Sequence, residues 1–137
     1  MNRRTRHELD LRDENLLAFW AERLTCTLTT SRPDGTPHVV PVGATLDPDA
    51  GLVRVITSSG SLKARNVART GAAGLPVAVC QFQGRHWSTV EGTATIRHEP
   101  EAVAEAVRRY AERYRPPRPN PERVVIEISI SRVLGNV

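Results

Sequence analysis

Apolar and polar positions alternate with a period of two over most of this chain, the rhythm of strands with one buried face. Leu24, Cys26 and Leu28 alternate with threonines up to residue 30, and Arg32-Pro33-Asp34-Gly35 then predicts a tight turn. The following run, 37–46, reads as one strand with His38, Val40, Val42, Ala44 and Leu46 on one face. Val39, Pro41, Gly43 and Thr45 take the other. Pro41 brings no ladder donor and Gly43 no side chain, which predicts an edge, a bulge or a close approach of a ligand to the backbone. Residues 52–57, 75–82 and 86–97 read as further strands, the last with a bulge at Gly92. Residues 123–134 close the chain with Val124, Ile126, Ile128 and Ile130 in clean alternation.

Helical spacing breaks this rhythm three times. Asp13 is placed to cap a helix carrying Leu16, Leu17 and Trp20. Residues 62–69 are free of Gly and Pro and set Ala64 and Ala68 one turn apart. Pro100 opens a third helix at its tolerated first position, with Val103, Val107, Tyr110 and Tyr114 along one stripe and the tyrosines as packing anchors. Residues 116–121, rich in proline, form a stiff connector, and charged residues 1–10 are expected to fray. Six strands and three peripheral helices predict a mainly β fold, a small antiparallel barrel or roll, with an extension at 1–12 and one domain over 13–137.

At 137 residues the chain holds one real core, and 39% apolar with 25% charged residues is ordinary for a globular protein. The N-terminus lacks the apolar stretch of a signal peptide and no run approaches a membrane span, so a cytoplasmic protein is expected. Cys26 and Cys80 stand in apolar runs without metal-ligand spacing and read as buried free thiols. His7, His38, His86 and His98 are scattered, so no metal site is expected, and His38 reads as structural. The net charge of +4 comes without a basic block. Arg108, Arg109, Arg113 and Arg115 end a helix that begins with Glu99, Glu101 and Glu105, which reads as dipole complementation on a solvated face. A small polyanion fits this distribution better than nucleic acid.

The stretch 52–70 organises the rest. A β-branched strand runs into Thr57-Ser58-Ser59-Gly60-Ser61 and then into a helix whose first turn holds Lys63, the chain's one lysine against eighteen arginines. Free N–H groups at such a helix start suit a phosphate, which would offset a lysine placed against the helix dipole. An ordinary capped helix, with Ser59 or Ser61 as cap, accounts for the same residues equally well. No nucleophile elbow, P-loop or dinucleotide fingerprint is present, and Glu91 and Glu127 are single carboxylates. An enzyme so equipped leaves the reaction to a cofactor.

P-D-G-T-P-H-V-V-P-V at 33–42, I-T-S-S-G-S-L-K-A-R-N at 56–66 and W-S-T-V-E-G at 87–92 resemble the flavin and deazaflavin oxidoreductases of the pyridoxamine-phosphate oxidase superfamily. The resemblance covers about residues 13–134 and implies a homodimeric, six-stranded split β-barrel with two cofactor sites at the subunit interface. It implies Thr57, Ser58, Ser61, Lys63 and Asn66 as ligands on the cofactor's phosphate side, with Pro41 and Trp87 also at the cofactor. The ending S-R-V-L-G-N-V lacks the arginine- and histidine-containing motif of members that oxidise pyridoxamine phosphate. Segments 113–128 and 85–92 are instead similar to the actinobacterial biliverdin reductase branch, which uses coenzyme F420. Hydride transfer from reduced deazaflavin to a conjugated small-molecule substrate, tetrapyrrole or quinone-like and first of all biliverdin to bilirubin, is what this implies. An FMN-binding reductase of the same fold and a non-catalytic deazaflavin or tetrapyrrole carrier fit the same residues. No nucleic acid or membrane partner and no catalytic acid is assigned. The G-A-A-G-L-P segment at 71–76 departs from the shorter turn of many relatives.

Overall fold

Eight antiparallel strands curl into one strip in the computed structural model, which describes residues 7–137. In chain order these are β1 (Glu8–Leu9), α1 (Glu14–Ala21), β2 (Cys26–Ser31), β3 (Pro37–Val42), β4 (Ala44–Asp47) and β5 (Leu52–Ser58). Then come α2 (Leu62–Ala68), β6 (Leu75–Gln83), β7 (His86–Arg97), α3 (Pro100–Arg113) and β8 (Arg123–Asn136). The strip runs β3-β2-β6-β7-β8-β5-β4, with β1 on β8. Its two end strands, β3 and β4, are consecutive in the chain and separated by Gly43 alone. The barrel is thus closed by a covalent link rather than by a ladder.

This junction corrects the expectation of one strand over 37–46. β3 pairs with β2 up to Cys26↔Val42, β4 pairs with β5 from Ala44↔Val55, and Gly43 belongs to neither ladder. The burial pattern shifts with it, since Val42, Ala44, Thr45 and Asp47 are all buried. The junction demands a glycine: a Cβ on Gly43 would lie 2.7 Å from the Tyr110 ring and 3.1 Å from the Tyr114 ring. Six expected strands become eight by this split and by β1. Glu8 and Leu9, expected to fray, pair with Leu134 and Val133, and Gly135 N–H donates to His7 O at 2.8 Å. β5 covers β8 only as far as Ser129, which leaves that edge of β8 open for β1. The part of the fraying expectation that concerns residues 1–6 lies outside the described residues.

Alternation fills the barrel with Leu28, Val53, Val55, Val79, Val90, Ile126 and Ile128, all fully or almost fully buried. α1 closes one end with Leu16, Phe19 and Trp20 buried, and Trp20 Nε1 donates to the buried Ser88 Oγ at 2.9 Å. Asp13 caps it as expected, accepting from the Asn15 and Leu16 N–H groups. The register shifts between Glu91 and Gly92, where a Cβ would meet Ser129 O at 2.2 Å. No described helix is long and apolar enough to cross a membrane.

One sheet face carries no helix among the described residues. Val39 and Pro41 of β3, Thr27 and Thr29 of β2, and Ala78, Cys80 and Phe82 of β6 alternate outward there. Val39 is 59% and Phe82 66% exposed, the two exposed large hydrophobics among the described residues. Cys80 is therefore half-exposed rather than buried, while Cys26 is buried as expected. α3 buries only Ala106 fully and adds polar contacts to its half-buried apolar stripe. Arg109 reaches Asp47 at 3.1 Å, and Asp47 also accepts from Arg54 at 2.8 Å.

Candidate functional site

Because β4 leaves β5 after Ala44↔Val55, the edge of β5 from Ile56 to Ser58 has no strand on that side. A cleft of about 330 Å³ occupies this seam. Its walls are Pro41, Val42 and Gly43 on one side and Ile56, Thr57 and Ser58 on the other, with Lys63 at one end and Tyr110 at another. Pro117, Asn120 and Arg123 complete it from the connector before β8. A larger hollow of about 480 Å³ lies on the helix-free face, but its one charged lining group, Glu91, is already paired with Arg132 at 2.7 Å. The seam cleft instead carries two cations, Lys63 and Arg123, beside the hydroxyls of Thr57 and Ser58.

Its hydroxyls are held by short local bonds. Thr57 Oγ1 donates to Ser61 Oγ at 3.0 Å, and Ser61 Oγ caps α2 by accepting from Ala64 N–H at 3.2 Å. Asn120 Nδ2 donates to Ser58 Oγ at 2.8 Å, while Asn120 Oδ1 accepts from Glu122 N–H at 2.9 Å. Ser59 N–H donates to Glu122 O at 2.8 Å, pinning the turn to the end of the proline-rich connector. Lys63 stands apart: among the described residues its ammonium has no hydrogen bond or ion pair, and burial holds its pKa below the ordinary lysine value. A partly desolvated cation in the first turn of a helix, beside two anchored hydroxyls, is an arrangement suited to an anion.

Four of the seven residues expected at the cofactor line this cleft: Pro41, Thr57, Ser58 and Lys63. Ser61 stands behind them as the cap, touching the site through Thr57. Asn66 points elsewhere, for it is 2% exposed and its Nδ2 donates to Thr30 Oγ1 at 3.0 Å, tying α2 to β2. Trp87 is also elsewhere in the chain, half-buried on β7 with His7 edge-on at 5.7 Å. His38 is half-buried, and its Nδ1 has no partner among the described residues. Tyr110, Asn120 and Arg123 are the cleft residues that sequence reasoning missed. An asparagine set between two prolines, in a stretch read only as a spacer, was the available signal for Asn120.

The arginines of α3 are not a solvated row. Arg108 does pair outward, with Glu105 and Glu112. Arg113 instead lies between the Trp20 and Tyr114 rings, 5.1 Å from each centroid. Tyr114 Oη donates to Leu24 O at 2.6 Å, and burial pushes its phenol pKa up, so it stays a donor.

A sheet rolled shut by one residue, with an anion-ready cleft on the seam, is a split β-barrel. The model of the pyridoxamine 5'-phosphate oxidase family matches residues 13–136, and the chain belongs to that family. It is 50% identical over 123 residues to an F420H2-dependent biliverdin reductase of Mycobacterium tuberculosis, covering 90% of this chain and 87% of that protein. Solved structures share the fold at lower identity. A conserved hypothetical protein of Mycobacterium tuberculosis superposes with a TM-score of 0.76 at 24% identity, over 98% of this chain and 89% of its own. General stress protein 26 of Bacillus anthracis does so with a TM-score of 0.69 at 21% identity, over 89% and 91%.

Proposed function

We propose that this chain is an F420-dependent oxidoreductase that delivers a hydride from reduced deazaflavin to biliverdin, giving bilirubin. The observation that carries a phosphate-bearing cofactor is Lys63, a partly desolvated ammonium with no counter-ion among the described residues, in a cleft edged by Thr57 and Ser58. The 50% identity to a reductase of that activity supports the substrate.

In this reading Lys63, Thr57 and Ser58 bind the cofactor's phosphate, with Asn120 setting the orientation of Ser58. Arg123 adds a second cation at the same mouth. Pro41 and the backbone at Gly43 edge the space for a flat ring system, and Tyr110 walls it from the α3 side. Bound deazaflavin supplies hydride chemistry; the protein's part is to orient the two reactants and exclude water. Ser61 acts indirectly, by fixing Thr57, and Asn66 by fixing the position of α2.

A homodimer belongs to the same proposal. The helix-free face, with Val39 and Phe82 exposed, is suited to a second copy, and Pro41 lies both on that face and in the cleft. Trp87, absent from its own chain's cleft, is then free to pack at the partner's. Titration of the purified protein with F420 and with FMN, followed by addition of biliverdin to the reduced F420 complex, tests the assignment. Salt-sensitive preference for F420 and biliverdin-dependent reoxidation are expected. Tighter binding of FMN overturns the cofactor, and F420 binding without reoxidation makes the protein a carrier.

A further inference from the structure

We propose that Arg113 is a positioning residue for the seam cleft, clamping Ala44 so that Gly43 and Tyr110 hold the width that the cofactor needs. The inference rests on the seam cleft being the cofactor site.

Arg113 differs from three other half-buried arginines of the chain, each of which is held by carboxylates. Arg54 and Arg109 answer to Asp47, and Arg97 to Glu99 and Glu127. Among the described residues Arg113 has no carboxylate, and its charge is met by neutral oxygens from three separate elements. Nε and Nη2 donate to Glu22 O at 3.0 and 2.8 Å, at the C-terminal end of α1, where a cation is favoured by the helix dipole. Nη2 also donates to Oε1 of the fully buried Gln81 at 2.7 Å, whose own Nε2 donates to Phe19 O at 3.0 Å. Nη1 donates to Ala44 O, on the residue that follows the seam.

Ala44 is therefore held at both of its peptide groups. Its carbonyl accepts from Arg113, and its N–H donates to Tyr114 Oη at 3.3 Å. Gly43 itself has no ladder partner on either side, so this clamp fixes where the chain crosses from β3 to β4. The same two side chains set the cleft's aromatic wall. Tyr110 stacks on Tyr114 with centroids 5.0 Å apart, and both rings press on the space that a Cβ at Gly43 would fill. Only a planar guanidinium spans acceptors from α1, β4 and β6 at once; an ammonium is a compact point charge and reaches fewer of them.

The test compares Arg113→Lys and Tyr114→Phe with the parent protein. Three readouts are taken well below the melting temperature: F420 affinity, amide exchange at Ala44 in the free protein, and kcat at saturating F420. Tyr114→Phe loses one hydroxyl and keeps the ring, so it remains informative if the arginine variant folds poorly. Arg113→Lys is expected to weaken F420 about tenfold and to speed Ala44 exchange, with kcat within about twofold. Tyr114→Phe removes the acceptor of the Ala44 N–H itself, so it should speed Ala44 exchange at least as much while weakening F420 by less. A lowered melting temperature with parental F420 affinity in both variants overturns the proposal and makes Arg113 structural. Unchanged Ala44 exchange overturns the clamp. Lys63→Ala, which leaves the clamp intact, separates the two readings. Should that variant bind F420 normally, the cleft is not the cofactor site and the proposal falls with it; should it alone weaken binding, only the role of Arg113 falls.

Discussion

Removing the ammonium of Lys63 is the sharpest test of the site. In the free protein this group has no partner among the described residues and is partly desolvated, so it stabilises nothing there. Lys63→Ala should leave the free protein as stable as before, or slightly more so, because a cation in the first turn of a helix is unfavourable. The loss falls on the complex. A charge-assisted hydrogen bond to a phosphate is worth roughly 1.5–3 kcal/mol, which is about ten- to a hundredfold in affinity. Turnover at saturating F420 should stay near that of the parent, since the lost interaction is the same in ground and transition states. The sign of the pH dependence follows from burial. Lys63 has a folded pKa below its unfolded one, so the unfolded chain holds more protons in the window between them. Stability of the free protein therefore rises with pH across that window, while F420 affinity falls as the ammonium is lost. Fluorescence titration of F420 from neutral to alkaline pH, paired with thermal melts, measures both. Parental affinity in the variant together with a destabilised free protein refutes the reasoning.

Asp47 sets the acid limit of α3 docking. Burial alone would raise its pKa, but hydrogen bonds from Arg54 and the Ala50 N–H, with the Arg109 and Arg54 charges, outweigh burial and hold it below the ordinary carboxylate value. That contribution is complete above about pH 4 and is lost as pH falls through the lowered pKa. Asp47→Asn, which leaves two arginines facing a neutral group, should cost about 3 kcal/mol at neutral pH and flatten the acid limb of the melting profile. Gly92→Ala should destabilise more than Gly43→Ala, because its Cβ meets the backbone Ser129 O at 2.2 Å whereas that of Gly43 meets ring edges. Gly43→Ala alone should also weaken F420 binding, as seen by titration. Val39→Glu should convert a dimer to a folded monomer in sedimentation, and an undisturbed dimer would place the interface elsewhere.

The strands and helices were legible because their signals are local. Val124, Ile126 and Ile128 alternate whatever surrounds them, and Pro100 and Asp13 mark helix starts by their own chemistry. The break at Gly43 was only half visible. Pro41 and Gly43 announced an irregularity, but its form depends on Tyr110 and Tyr114, which lie about seventy residues further on. β1 was missed for a similar reason, since two residues carry no periodicity and pair only because β5 stops short on β8. At the site, Thr57, Ser58 and Lys63 are contiguous on a strand, a turn and a helix, so one stretch displays them together. Asn120 and Arg123 arrive through the fold, and Arg113 looked like one more surface cation because nothing local reveals the carbonyls waiting for it.

The one-residue link between β3 and β4 bears on how a flat ligand gets in. Along Ile56 to Ser58, β5 shares no ladder with the strand across the seam, so prising the two apart breaks no sheet hydrogen bond. Meanwhile the peptide chain through Gly43 keeps the barrel's circumference constant however far the seam gapes. Opening of such a cleft resembles the flexing of a split ring at its joint, opposed by the clamp on Ala44 and the Tyr110 ring rather than by a β-ladder.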